Sequence, residues 1–328
     1  MQSRIPVSIV LRAFEASARN LSFTLAAAEL HITQGAVSRQ IRLLEDMLGQ
    51  KLFDRFTRRI ELTAVGRDYY LDVQRSLRDI DRATQRAMRV SGRTVLTISV
   101  LPTFGTSWLM PRLAGFVERH PDLDVRLATA IDAVDFQHTD TDIAIRVGRV
   151  PGDSYAENCP RVDSEIVQNW RGVRVDFVAS DVLLPVISRS LLTGVPEISC
   201  AADLLRFPLI HTLSRKGAWD HWLAAHGLNV PSGDRRTLSH FFMGLRAAEE
   251  GGGIAIIPSI LIPQDALGSS LVAPLQSTLR SAGSYYIVSL ESRADEAPIL
   301  AFRDWVLQET RSWRSSNPEA RLDTARFA

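Results

Sequence analysis

The chain has 328 residues, 45% apolar and 23% charged, the balance of a soluble globular protein with length for two or three domains. No apolar run reaches the length of a bilayer span, and the opening MQSRIPVSIVLRAFEASARN carries charges where a secretory signal needs its apolar core, so a cytoplasmic protein with no membrane partner is expected. Net charge is +1 but unevenly spread: residues 1–93 hold 16 Lys+Arg against 10 Asp+Glu, and the remainder 22 against 27, so the first segment is the one suited to a polyanion.

From Pro6 to about Arg19, the apolar Val10, Leu11, Phe14 and Ala18 recur at helical spacing. A second helix fits Thr24 to Leu30, with Ser22 or Thr24 as its N-cap. After a turn at His31 and Ile32, Thr33 caps a third helix whose apolar face is Val37, Ile41, Leu44 and Leu48, and Gly49 ends it. KLFDRFTRRIELT then reads as two short extended runs around a basic tip, Arg55 to Arg59. Residues 63–91 contain no proline and carry a stripe of Tyr69 or Tyr70, Val73, Leu77, Ile80, Thr84 and Ala87, which predicts a long amphipathic helix paired with a second copy rather than lying on its own domain.

From Thr94 the period becomes that of strands. VLTISV, the helix WLMPRLAGFVERH, LDVRLATA and DIAIRVG give a strand-helix-strand order, hence a parallel sheet with helices on its faces. A similar unit follows in LLPVIS, an ADLL helix, FPLIHT, helices at about Trp219 to Ala225 and Phe241 to Glu250, and GIAIIP. YYIVSL adds a strand, Pro298 to Thr310 a helix, and the end RSSNPEARLDTARFA reads as disordered. Gly251 to Gly253 follow a helix and precede a strand, the reverse of a phosphate loop, and fit a helix C-cap and turn. Cys159 and Cys200 make no disulfide framework, and no Cys or His spacing suggests zinc, so neither metal nor cofactor is expected. His211, His221, His226 and His240 read as surface or pocket polar groups, and no G-x-S-x-G, H-E-x-x-H or Walker motif marks an enzyme.

The run SFTLAAAELHITQGAVSRQIRLLEDMLGQKLFDRFTRRIELTAVGRDYY closely resembles the N-terminal winged helix-turn-helix of LysR-type transcriptional regulators: A-x-x-L, the turn, the S-R-Q-I helix, L-E, L-G, L-F and a closing L-T-x-x-G. The likeness continues through VLTISVLPTFGTSWLMPRLAGFVERHPDLDVRL, which is similar to the effector domain of the subgroup that includes the glycine-cleavage activator and the β-lactamase regulator. The resemblance implies a winged helix-turn-helix over residues 1–62, a linker and dimerisation helix over 63–91, and an α/β effector domain over 92–312. That domain would hold two α/β subdomains, 92–181 with 284–312 and 182–283, like type 2 periplasmic binding proteins, ahead of a tail from 313 to 328. It further implies a homodimer or homotetramer on an interrupted palindromic site in double-stranded promoter DNA, a small-molecule effector in the cleft between subdomains, and contact with RNA polymerase. In one departure from the family pattern, some twenty residues, VPGDSYAENCPRVDSEIVQN, intervene between DIAIRVGR and WRGVRVDF. They could cover the pocket, meet a neighbouring subunit, or form a surface insertion, since loops tolerate length cheaply.

In a helix-turn-helix the second helix enters the major groove by its N-terminal end. Thr33, Gln34, Gly35, Ser38, Arg39 and Arg42 lie at that end and off the apolar face, and Gln34, Gly35, Ser38 and Arg39 fall on the family's DNA-contacting positions. Alternatively Arg39 and Arg42 pair with Glu45 or Asp46 as a solvated face. Arg55, Thr57, Arg58 and Arg59 at the wing suit phosphates or a minor groove, or else protect a strand edge. Open parallel sheets bind ligands beyond the carboxyl ends of their strands. Thr103, Phe104, Ser107 and Trp108 occupy such a place after the first effector-domain strand, with Thr129, Arg146 and the stretch Thr212, Leu213 and Ser214 after others. The arginine would favour an anion, and Trp108 suits core packing ahead of ligand contact. The competing function is an α/β enzyme or solute-binding domain with an incidental helical head.

Overall fold

The computed structural model describes residues 6–56, 59–88, 93–136, 139–153, 159–160, 162, 164–230, 236–275 and 277–316, and the chain forms two compact units, Met1–Gly92 and Arg93–Ala328.

In the first unit α1 (Ser8–Asn20), α2 (Phe23–Glu29) and α3 (Gln34–Leu48) enclose Val10, Phe14, Val37, Ile41 and Leu44, none more than 1% exposed. Both polar starts act as caps: Ser22 Oγ accepts from Leu25 N at 3.3 Å and Thr33 Oγ1 from Ala36 N at 3.2 Å, each satisfying an amide that the helix leaves unpaired. Gly49 takes the left-handed conformation, φ 66°, that closes α3. Leu48 departs from the sequence expectation: it is 37% exposed, because the apolar face ends at Leu44 before the helix does.

A hairpin, β1 (Phe53–Arg55) and β2 (Ile60–Leu62), forms the wing, with Phe53 opposite Leu62. Thr63 then organises the start of α4 (Ala64–Met88): its hydroxyl donates to Lys51 O at 2.8 Å and accepts from Gly66 N at 2.9 Å. A Cβ on Gly66 would lie 2.1 Å from Leu52 O, so this close approach accounts for the glycine of the L-T-x-x-G motif. The stripe of α4 divides. Tyr69, Tyr70, Val73 and Leu77 pack on the head's own core, Tyr69 with its ring centroid 5.4 Å from that of Phe14, whereas Ile80 is 60% exposed and Thr84 is exposed. The expectation that the helix does not lie on its own domain is therefore corrected for its first part, as far as Leu77. Ala87 lies where side chains are outside the described residues.

The second unit is built on one sheet, nine-stranded among the described residues. Three parallel strands, β3 (Thr94–Val100), β4 (Leu123–Thr129) and β5 (Ile143–Gly148), form one end, in the order β4-β3-β5. Between β3 and β4 the chain makes a π-helical turn, Phe104–Leu109, and α5 (Met110–Arg119). A second parallel set comes from β7 (Leu209–Thr212), β8 (Arg236–Leu238) and β9 (Ile254–Pro258), with α6 (Ala218–Ala224) and α7 (Phe241–Glu249) as crossovers. Two long antiparallel strands join the sets: β6 (Val173–Ser188), which also carries the short β10 (Leu271–Val272), and β11 (Leu279–Leu290). The sheet is thus mixed rather than parallel throughout. It reads β4-β3-β5-β11-β6-β9-β7-β8.

The ladder between β6 and β11 slips between Arg280 and Ser284, where Ser284 pairs with Ser180 but Arg280 with Val182. Here the two strands pass from the first lobe, with β3 to β5, to the second, with β7 to β9. The ADLL segment is a 3-10 turn, Ala201–Arg206, and the last helix, α8 (Ala297–Ser316), runs longer than expected, so the disordered reading of 313–316 is corrected, while 317–328 lie outside the described residues. Cys159 and Cys200 are both free thiols. Among the described residues no helix is long and apolar enough to cross a membrane.

Candidate nucleic-acid interface and ligand cavity

Helix α3 presents one polar end to solvent. Gln34, Gly35, Arg39 and Arg42 are exposed, Ser38 is half-buried, and Thr33 is exposed with its hydroxyl spent on the cap. A glycine inside a helix costs about 1 kcal/mol against alanine. Beyond its two chain neighbours and the nearby backbone of its own helix, nothing lies within 4 Å of where a Gly35 Cβ would stand, so among the described residues no packing contact requires this glycine. Among the described residues neither Arg39 nor Arg42 makes the alternative pair with Glu45 or Asp46, and Glu45 is turned inward, its side chain 1% exposed. Its Oε1 accepts from Leu52 N at 3.0 Å and Phe53 N at 3.3 Å, and its Oε2 takes Lys51 Nζ at 3.3 Å and Arg55 Nη2 at 3.2 Å.

That arrangement changes the part Arg55 plays. Its guanidinium pairs with Glu45 and stands 5.4 Å over the Phe23 ring, so it braces the wing against α2 and α3 rather than standing free at the tip. Arg59 is more exposed, 68%, and pairs with Glu61 at 2.8 Å beside the Phe56 ring. Thr57 and Arg58 lie outside the described residues.

The second unit holds a cavity of about 470 Å³, within the range of small-molecule sites. It draws on both lobes. Thr103 and Phe104 line it from the first, and Leu213 and Ser214 from the second, four of the nine residues expected from sequence. Thr103 is 5% exposed, and its Oγ1 accepts from Phe242 N at 3.2 Å, which ties the end of β3 to the N-terminus of α7. Ser214 Oγ donates to Ser239 O at 2.7 Å and so fixes the turn that leads into α7.

The other five do not line this cavity. Strand alternation explains Arg146: its neighbour Val147 faces the cavity, so Arg146 points to the opposite face. There its guanidinium donates to Ser99 O at 3.1 Å, Ser99 Oγ at 2.8 Å and Asp132 O at 3.2 Å, and burial pulls its pKa down to about 10. Thr129 ends the edge strand β4, two strands away from β5, and is exposed. Trp108 is core, 1% exposed, stacked on Phe104 at 4.9 Å with the Arg112 guanidinium 4.8 Å over its ring. Ser107 follows it away on the same turn. Thr212 faces a neighbouring cavity of about 270 Å³ instead.

Of the lining groups that escaped the sequence reading, two carry the chemistry. Tyr285, 1% exposed, stacks on Phe104 with centroids 5.8 Å apart; burial first and the nearby Asp181 carboxylate second push its phenol well above the ordinary value, so it stays a neutral donor. Arg215 lies one residue beyond the stretch singled out, is 6% exposed, and donates to Asp181 and, at 3.1 Å, to Ser281 Oγ. Both acceptors belong to the segment where β6 and β11 pass between lobes. The cavity's arginine is therefore held by a buried carboxylate. His240 also lines the cavity and His211 the smaller one; among the described residues no group of three or more His, Cys, Asp or Glu is placed to hold a metal.

A three-helix head with a wing, followed by a two-lobed α/β unit with a cavity drawing on both lobes, defines a DNA-binding protein that carries its own ligand-binding domain. Residues 10–67 match the bacterial regulatory helix-turn-helix protein model of the lysR family, and residues 90–311 match the LysR substrate binding domain. The chain belongs to the LysR family of transcriptional regulators and is not an enzyme. It is 37% identical over 309 residues to the glycine cleavage system transcriptional activator of Escherichia coli K12, covering 94% of this chain and 95% of that one. It is 35% identical over 300 residues to the transcriptional activator AmpR of Pseudomonas aeruginosa, covering 91% and 94%. The crystallographic effector domain of that AmpR aligns with a TM-score of 0.52 at 28% identity, over 70% of this chain and all of that one.

Proposed function

We propose that the exposed start of α3 reads an interrupted palindrome in promoter DNA and that the two-lobed cavity takes a small metabolite that alters how the head engages it. The division of labour follows the expected boundaries: residues 1–62 bind DNA, 63–91 link and pair, and 92–312 respond to the effector. The observation that carries the reading is Gly35, a helix-weakening residue with no described atom beyond its own turn of helix against the place of a Cβ, flanked by the exposed Gln34 and Arg39. A backbone without a side chain can approach a phosphate closely, and Arg or Gln at a base edge is worth roughly 1–3 kcal/mol of discrimination. Arg59 and the wing serve the phosphates, while Arg55 holds the wing in place. For the effector, Thr103, Tyr285 and the start of α7 supply hydroxyls and an amide end in one cavity. Residues from Ile80 onward on α4 pair with a second copy, giving a dimer or tetramer that works in the cytoplasm beside RNA polymerase.

The test is retardation of a duplex taken from upstream of the protein's own coding region, with affinity falling steeply as salt rises, as phosphate contacts require. Folded protein that binds no such duplex at low salt would refute the assignment. Replacing Gly35 by Ala is expected to weaken binding while slightly stabilising the helix, a combination that a purely structural glycine would not give.

A further inference from the structure

The residues that interrupt the family pattern after β5 are not a surface ornament. Of their described part, Pro160, Val162, Ile166 and Val167 are buried, and they pack on the crossover strands in two places. Pro160 O accepts from Ala282 N at 2.7 Å, and upstream Asp153 Oδ2 accepts from Tyr286 Oη at 2.8 Å, both on β11. Farther on, Ile166 O accepts from Val134 N at 3.0 Å and Gln168 N donates to Val134 O at 3.1 Å, a short parallel bridge.

Two glycines make this possible. A Cβ on Gly283 of β11 would stand 2.7 Å from Val162 Cγ2, and one on Gly148 at the end of β5 would stand 2.7 Å from both Ile166 Cγ1 and Ser164 O. Contacts that short are not tolerated, so each glycine supplies the groove into which one apolar side chain of the segment settles. Between those two anchors lies Ser164, exposed, and a lining residue of the 470 Å³ cavity together with Ile131 and Asp132.

We infer that Pro160, Val162 and residues 164–168 form a fixed wall of the effector cavity and that Ser164, held between the Val162 and Ile166 anchors, is a specificity-determining residue that sets the size and polarity of the ligand admitted. The inference rests on reading this cavity as the effector site. A wall bonded to β11 and to Val134 at defined points restricts the occupant as a packed interior does. Such a site discriminates one group of extra bulk by tenfold or more, by the usual selectivity of shaped pockets.

The experiment uses the full chain and a panel of free amino acids, nucleobases and short-chain carboxylates, screened by thermal shift and then by titration calorimetry. The variants are Ser164→Ala, Ser164→Leu, Gly148→Ala and Thr103→Val. At least one compound is expected to stabilise the native chain, and Thr103→Val to abolish that shift. Ser164→Leu should change the affinity ratio between the largest and smallest binders by about tenfold or more, and Ser164→Ala should lower affinity for binders that present a polar group. Gly148→Ala should reproduce the change in ranking and speed amide exchange at Val134 and Gln168; if it does not fold, the two Ser164 variants decide alone. Unchanged affinities and ranking in both Ser164 variants, with the shift lost in Thr103→Val, would overturn the wall while leaving the cavity reading standing. A shift that survives in Thr103→Val, or no stabilising compound in the panel, would overturn the cavity reading and the wall with it.

Discussion

Replacing Glu45 by Ala should destabilise the head and leave the melting of the second unit unchanged. The carboxylate is buried and accepts two backbone amides, Leu52 N and Phe53 N, whose residues are 0% and 2% exposed. Each buried donor left without a partner costs about 1–3 kcal/mol. The ion pairs add little, because Lys51 is 72% and Arg55 32% exposed and solvent screens them to about 1 kcal/mol or less. Water reaching the vacated space recovers part of the loss, which leaves about 3 kcal/mol, a large share of the 5–15 kcal/mol typical of a domain. For a unit of this size that is a fall of roughly 12–24 °C in melting temperature. The six tryptophans begin at Trp108, so tryptophan emission reports only on the second unit, while far-ultraviolet circular dichroism sees both. The early dichroism transition should move and the emission transition should stay. A shift below about 4 °C, or one shared equally by both transitions, would refute the reasoning. Glu45→Gln keeps an acceptor and should lose only about 1 kcal/mol.

Gly66→Ala is expected to destabilise the head although alanine is the better helix former, because its Cβ would meet Leu52 O; a dichroism melt at or above the native value would refute the close approach. Asp181→Ala leaves Arg215 buried beside the cavity without the carboxylate that holds it, and should cost about 3–5 kcal/mol in the emission-monitored transition, whereas the double change Asp181→Ala with Arg215→Met should recover most of it. Asp203 accepts from Ser199 N at 2.9 Å and Cys200 N at 3.0 Å, and these bonds lower its pKa to about 2. A carboxyl whose folded pKa is depressed adds stability above its unfolded pKa and loses it as pH falls toward the folded one. The melting-temperature gap between the native chain and Asp203→Asn should therefore be full above about pH 4 and close near pH 2, and a gap that does not vary over that window would contradict the linkage.

Much of the head was legible because its signals are local. Ser22 and Thr33 cap within three residues of themselves, and the Val37, Ile41 and Leu44 spacing states which face is buried. The cavity was legible only in part. That ligands gather at strand ends located Thr103, Phe104, Leu213 and Ser214, but a strand end has two faces, and a step of one residue separates the lining Val147 from Arg146, buried on the opposite face. Thr129 failed for a different reason, since only the strand order places β4 at an edge. Tyr285 and Tyr286 look equivalent in YYIVSL; alternation sends the first to the cavity and the second to Asp153. Arg215 gains its meaning from Asp181, 34 residues away, which no short window of sequence can pair. The same Asp181, together with Asp176 and Ser180, interrupts the apolar run of β6 and makes one long strand read as shorter pieces.

Strand β11 lies between β5 and β6, although it is made more than a hundred residues after either begins. On the ribosome the head has every element of its core once α4 has emerged, whereas the sheet of the first lobe stays open along β5 until residues 279–290 arrive. While residues 189–278 are being made the nascent chain therefore carries two strongly apolar strands, each with one edge still awaiting β11, so the head can be complete and basic while its regulatory half is still a substrate for chaperones.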